Sequence, residues 1–389
     1  MALALPAAAS PPSAVAALPV ALSLADDHES RWVPFTLTPG NQILFTAQLN
    51  GRPVTAILDT GVSASVLSRA SADRAGLAIK AGGRASAIGG SVAIGSTSLT
   101  SLAFGALQRR GGRITVTALP AIATGSAQPV EMLIGHDLLD AYALDIDFDQ
   151  KRFRLLPSGR LPFQGDMAPL SISRRLGVYV SSATIGGEHL QPMIVDSGDG
   201  ASVTVSQPSW QATRPGARTR MTTAIAFGLA GPLVSDLAVM PALDLGQLSA
   251  RDVEVRIEPS GGFSQSLGVA GRIGTGLLQR YRVLLDPSAG RMVLGQASQS
   301  KAATLRSTSG ILVSVGTDRL KVIHLMRDGP AAAAGWREGD QICSINGHSI
   351  PADYANNPLA RWSIDTPGKT VALGMCDGTN RQLTLRQFY

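Results

Sequence analysis

The chain has 389 residues, a formal net charge of +6 and a sequence pI near 9.7, with 44% apolar, 16% charged and 5% aromatic residues. That length exceeds one ordinary core and predicts two or three domains, and 42 glycines and 23 prolines in an apolar-rich chain fit a strand-and-turn protein rather than a disordered one. The basic residues are scattered. Arg109-Arg110, Lys151-Arg152 and Arg174-Arg175 are only adjacent pairs without interleaved aromatics, which argues against nucleic-acid binding.

Residues 1–24 are uncharged and rich in Ala, Leu, Val and Pro, and Asp26-Asp27 follows. They are similar to the apolar part and small-residue end of a secretory signal, but no basic n-region precedes them, since the first Lys or Arg is Arg31. A start assigned too late would account for this. Export to a periplasmic or extracellular compartment is therefore the expectation, with a disordered tail over 1–29 as the alternative. Pro6, Pro11, Pro12 and Pro19 argue against a membrane-spanning helix, and no later segment reaches ~18 consecutive apolar residues.

From Trp32 onward, short apolar runs alternate with Gly, Pro and Asn. Pro34–Thr38 and Ile43–Leu49 read as strands, and Asn50-Gly51 is a hairpin turn into Val54–Leu58. That strand delivers Asp59-Thr60-Gly61. Ser65–Ser68 then reads as a strand and Arg69–Leu77 as a short helix. The segment Ala87-Ile88-Gly89-Gly90-Ser91 is a glycine-tipped, mobile hairpin.

The second half repeats the first. Val195-Asp196-Ser197-Gly198 follows Leu58-Asp59-Thr60-Gly61 at an offset of 137 residues. Ile134-Gly135-x-x-Leu138-Leu139-x-x-Tyr142 recurs as Ile273-Gly274-x-x-Leu277-Leu278-x-x-Tyr281 at 139, and Leu102-x-x-Gly105-x-Leu107 recurs as Leu243-x-x-Gly246-x-Leu248 at 141. Three blocks in one order at a nearly constant offset mean a duplicated unit, and two copies make a pseudo-twofold pair.

Two carboxylates brought within a few Å share one proton, so one serves as base and the other as acid. A water held between them is then deprotonated as it attacks a peptide carbonyl, with no cofactor and no metal required. Thr60 and Ser197 are placed to bond across the pseudo-twofold axis, while Gly61 and Gly198 permit the tight turn and turn backbone N–H groups toward the acids. His28, His136, His189, His324 and His348 never fall at ligand spacing, so no metal site is expected. His136 reads as structural.

On these residues, 30–297 resembles a retropepsin-like aspartic protease with both lobes in one chain, as in the pepsin-like arrangement. The resemblance rests on Leu58–Ser65, Val195–Gly198 and the signals Leu133-Ile134-Gly135 and Ile273-Gly274. It implies a mainly β, two-lobed acid-protease β-barrel fold, with lobe 1 at 30–160 and lobe 2 at 161–297. The implied catalytic set is Asp59, Asp196, Thr60, Ser197, Gly61 and Gly198, with Ile88, Gly89 and Gly90 as a flap tip over the substrate.

Three departures from that pattern stand out. Asp199-Gly200 replaces small or hydroxyl residues and puts a third carboxylate near the pair, which either raises its protonation range or marks a weakened second lobe. The flap segment 82–103 has no aromatic residue. Arg272 stands where the first repeat has Leu133.

Residues 298–309 read as a linker. Beyond them, Asp328-Gly329-Pro330-Ala331-Ala332-x-Ala334-Gly335, Gly339-Asp340-Gln341-Ile342 and Ile345-Asn346-Gly347 make 310–389 resemble a PDZ domain, an α+β fold, of the bacterial protease-associated type. The resemblance implies that Gly310, Ile311, Leu312 and Val313 form the loop that captures a peptide C-terminus. Cys343 and Cys376 either pair or stay buried thiols.

The expected function is thus an aspartic endopeptidase acting as a monomer on peptide or protein substrates, with the PDZ domain recruiting or positioning them. The alternatives are an inactive protease-like fold serving its PDZ domain, or lobe 1 pairing with lobe 1 of another chain.

Overall fold

The computed structural model describes residues 20–123, 129–214, 216, 219–302, 304–354 and 357–389. Residues 1–19 of the expected leader lie outside the described residues. Among the described residues the protein is mainly β, with four sheets and only short helices.

The first sheet collects strands between Ala21 and Ile134, and its centre is the part that carries Asp59. Arg52–Leu58 lies antiparallel to Ile43–Leu49 and parallel to Met132–Ile134, which in turn pairs with Val66–Ser68. Asp59 therefore leaves a strand fixed on both sides, and its N–H donates to Ile134 O at 2.9 Å.

The second half repeats this frame. Glu188–Asp196 lies antiparallel to Tyr179–Ile185 and parallel to Gly271–Gly274, which pairs with Val203–Val205. The helix that follows each short strand starts from a serine cap, Ser68 accepting from Ser71 N and Ser206 from Ser209 N, so even the capping chemistry is duplicated.

The halves join through a six-stranded sheet in which Tyr142–Asp147 runs antiparallel to Tyr281–Asp286. Leu144, Asp145 and Ile146 face Leu285, Leu284 and Val283. Because Asp145 and Leu284 are equivalent residues of the repeat, the pseudo-twofold axis passes through their pairing. Asp145 is fully buried there and accepts from Arg154 at 3.0 Å and Arg282 at 3.1 Å, which neutralises a carboxylate that burial alone would make costly. One apolar cluster runs through both halves, from Phe35, Phe45 and Phe153 to Tyr179, Val255 and Leu294.

The C-terminal sheet, in the order Ile311–Val315, Leu320–Leu325, Gln341–Ile345, Thr370–Met375 and Asn380–Thr384, has its own core around Trp336, Ile342, Trp362 and Leu373. Cys343 and Cys376 form a disulfide across it, with Cα atoms 5.0 Å apart, which decides between the two readings left open above. Within the stretch read as a linker, Thr308 and Ser309 donate their N–H groups to Ser363 O at 2.9 and 3.1 Å. This unit rests on the hairpin of Met221–Gly228 and Gly231–Leu245. Thr222 Oγ1 donates to Arg327 O at 2.6 Å, and Leu237 packs with Met326, Phe388 and Tyr389.

Candidate active site

The two Asp-hydroxyl-Gly turns meet face to face at the ends of Arg52–Leu58 and Glu188–Asp196. Thr60 and Ser197, both fully buried, exchange bonds: Thr60 N donates to Ser197 Oγ at 3.0 Å and Ser197 N to Thr60 Oγ1 at 2.9 Å. Each hydroxyl then donates across to the other strand, Thr60 Oγ1 to Val195 O and Ser197 Oγ to Leu58 O, both at 2.7 Å. Four buried bonds thus satisfy both N–H groups and both hydroxyls and lock the turns together.

The glycines make the approach of the acids possible. A methyl on Gly61 would fall on the Asp196 carboxyl, and one on Gly198 on the Asp59 carboxyl. Each carboxylate therefore sits over the opposite turn. Gly61 N donates to Asp59 Oδ1 at 3.0 Å and Gly198 N to Asp196 Oδ1 at 2.9 Å.

Burial is the main cause that raises both acids, because it disfavours the charged form. Asp59 stands well above the ordinary carboxylate range, pushed further by the neighbouring Asp196 and against the pull of Gly61 N–H. Asp196 is raised by burial and by Asp199, pulled back by Arg272 and by the Gly198 and Asp199 N–H groups, and settles at about 6. Below about pH 6 both carboxyls therefore tend to hold a proton.

Asp199, the third carboxylate, is not free. Arg272 Nε donates to its Oδ2 at 2.9 Å, Ala201 N and Thr204 Oγ1 donate at 3.0 and 3.1 Å, and its own N–H donates to Asp196 Oδ1 at 3.1 Å. Burial would raise Asp199, yet Arg272 and Arg256 hold it below the ordinary range. Arg272 is itself only 3% exposed; its Nη1 donates to Glu258 at 2.7 Å and to Ser264 Oγ at 2.9 Å, and its Nε lies 3.7 Å from Asp196 Oδ2. Gly200 has a packing reason, since a side chain there would strike Gly40 O, and Asn41 Nδ2 reaches Gly200 O at 3.1 Å.

The expected hairpin is present as Lys80–Ala87 and Gly90–Ser98, with Ile88 and Gly89 at its tip and positive φ at Gly89 and Gly90. A second hairpin, with Leu229 and Ala230 between Gly228 and Gly231, meets it tip to tip: Ala230 N donates to Ile88 O at 3.2 Å. The sequence reading missed this second hairpin, although Gly228 and Gly231 stand 139 and 141 residues beyond Gly89 and Gly90. It also missed Glu258, a lone buried acid with no counterpart in the first repeat and no pattern around it. Arg272 stands out in the sequence only as a departure from the repeat.

In the C-terminal unit, Ile311–Val315 is an edge strand that pairs only with Leu320–Leu325 among the described residues, and Leu312 is exposed on it. Val313 is half-buried against the core. Gly310 N donates to Ser307 Oγ at 3.0 Å and Ile311 N to Ser309 Oγ at 3.1 Å. Both amides are thus occupied by side-chain hydroxyls.

Comparison with known proteins matches residues 45–138 to the aspartyl protease family and residues 298–353 to the PDZ domain family. The first match contains Asp59 and ends before Asp196. The chain is also similar to DNA damage-inducible protein 1 of Eremothecium gossypii, 24% identical over 179 residues that cover 44% of this chain and 36% of that protein. It thus spans about a third of the relative's length. The N-terminal region is thus similar to aspartyl proteases and the C-terminal region to PDZ domains.

Proposed function

We propose that this protein is an aspartic endopeptidase whose single active site is made by Asp59 and Asp196 of one chain. The observation that carries the reading is the reciprocal seating of each carboxyl over the other lobe's glycine, held by the Thr60–Ser197 exchange. Such a pair holds a water against the scissile carbonyl. Asp196, the more readily ionised acid, takes the water proton as the oxygen attacks carbon, while protonated Asp59 donates to the carbonyl oxygen. Proton return to the amide nitrogen then lets the C–N bond break.

The two hairpins that meet at Ile88 and Ala230 act as paired covers over an extended substrate and exclude water once they close. Their contact has to open for a chain to enter. The PDZ unit, seated on the second hairpin, recruits an extended segment along Ile311–Val315, including a peptide C-terminus when Ser307 and Ser309 release the amides. The disulfide supports an oxidising compartment and hence export; recovery of the protein in the cytosol with both thiols reduced would contradict this.

Cleavage profiling on a proteome-derived peptide library tests the activity. Wild type is expected to cut internal bonds, and Asp59→Asn and Asp196→Asn each to lose at least about 10³-fold in kcat/KM. Undiminished cleavage by either variant overturns the shared pair.

A further inference from the structure

The repeat makes an internal control for the environment of each acid. In lobe 1, Val62 and Leu133 lie together in an apolar cluster with Ile57, Val66 and Val130. In lobe 2 the equivalent positions are Asp199 and Arg272, buried and paired at 2.9 Å. Backbone bonding is the same in both places, with His136 N donating to Val62 O at 2.9 Å and Thr275 N to Asp199 O at 2.8 Å. The turn therefore keeps the same backbone bonding around an apolar pair as around an ion pair.

The cation stands at salt-bridge distance from Asp196. Asp196 receives N–H bonds from Gly198 and Asp199 and has Arg272 Nε 3.7 Å from its Oδ2. Asp59 receives the N–H of Gly61, and the residue at the position equivalent to Arg272 is the aliphatic Leu133. The charged groups around Asp196 are Asp59 on the facing turn, Asp199 on its own turn, and Arg272 on Gly271–Gly274. Glu258 lies behind Arg272 at 2.7 Å, and Arg256 acts on Asp199.

We infer that Arg272 is a positioning residue that keeps Asp196 the ionised member of the pair, so that the shared proton resides on Asp59 and Asp196 accepts the proton of the attacking water. Asp199 and Glu258 hold the guanidinium in place: they bond Nε and Nη1 and leave the cation at salt-bridge distance from Asp196. The higher proton affinity of Asp59 agrees with this direction. The inference rests on the proposed function for its catalytic meaning, while the charge assignment stands on the geometry alone.

The test isolates Arg272 without stranding buried acids. Asp199→Asn/Glu258→Gln is compared with the same pair plus Arg272→Met, and Asp196 is followed by carbon-13 carboxyl titration, its resonance identified by its loss in Asp196→Asn. In the double variant Asp196 becomes the remaining carboxylate partner of Arg272 and should titrate below wild type. Adding Arg272→Met should raise its midpoint by at least one pH unit, with a matching rise in the acid limb of kcat/KM. Coincident titration of the two variants overturns the inference.

If the triple variant fails to fold, Arg272→Gln on the same double background replaces it: a midpoint raised above the double variant supports the assignment and an unchanged one overturns it. A protein that cleaves nothing yet shows the predicted carboxyl shifts refutes the protease reading and leaves the charge assignment standing.

Discussion

Lobe 1 and lobe 2 present their acids on turns of one backbone design but fill the space behind them differently. Behind Asp59 stand Val62 and Leu133; behind Asp196 stand Asp199 and Arg272, closed off by Glu258. The apolar version stabilises by burial and leaves its acid to the neighbouring charges. The ionic version costs desolvation, repaid by short bonds on every partner, and it gives one acid a cation that the other lacks. Duplication thus preserved the turn while letting the two halves diverge in electrostatics.

That contrast is most easily broken by removing the cation. Arg272→Met leaves Asp199 and Glu258 buried and unpaired, and unfolding by urea should show a loss of about 3–5 kcal/mol. An unchanged midpoint would mean that the acids find other partners.

The next effect is the dependence of stability on pH. Asp196 has a folded value of about 6 against an ordinary 3.8, so the folded state binds its proton more tightly than the unfolded state. Its contribution is fully present below the ordinary value and is lost as pH rises from about 4 to about 6, a change of about 3 kcal/mol. Asp199, whose value is lowered, acts in the opposite sense and weakens the fold as pH falls below the ordinary range. Asp196→Asn should therefore gain on wild type between pH 4 and 6 and hold that gain above it, as thermal unfolding at several pH values will show. A constant difference across the window would contradict the assignment.

A smaller effect sharpens the symmetric part of the comparison. Thr60→Ala and Ser197→Ala each strand one buried N–H and remove one donor to a carbonyl, so each should cost about 1–3 kcal/mol, and by similar amounts. Unequal losses would show that the two turns are not energetically equivalent.

The smallest expected change is the most informative about divergence. Asp199→Val/Glu258→Gln/Arg272→Leu rebuilds the lobe 1 pair in lobe 2 and should be neutral or modestly stabilising in urea unfolding, since a well-packed apolar pair often matches a buried ion pair. A large loss would mean that lobe 2 depends on its charges to fold.

Much of this was legible in the sequence because duplication acts on pattern. Asp59 and Asp196, Gly135 and Gly274, and Leu138 and Leu277 kept their spacing, and spacing is what a pseudo-twofold axis imposes. Gly200 was read as a departure, but the close passage of Gly40 O that demands it is tertiary and invisible to local pattern. The Asp199–Arg272 bond likewise joins residues 73 positions apart, so each looked like an isolated defect until the strands brought them together. The second hairpin was overlooked for a different reason. Both tips are two residues long, but Leu229 and Ala230 stand where the first tip has Ile88 and Gly89, so the adjacent glycine pair that marks the first tip is lost from the second.

The central claim is that two acids of one chain make one site, and mixing the two inactivated variants tests it most directly. Purified Asp59→Asn and Asp196→Asn proteins, combined and assayed for peptide cleavage, should remain as inactive as either alone, because every pair still contains one asparagine. Recovery of activity on mixing would show that acids from different chains come together, and would contradict the account.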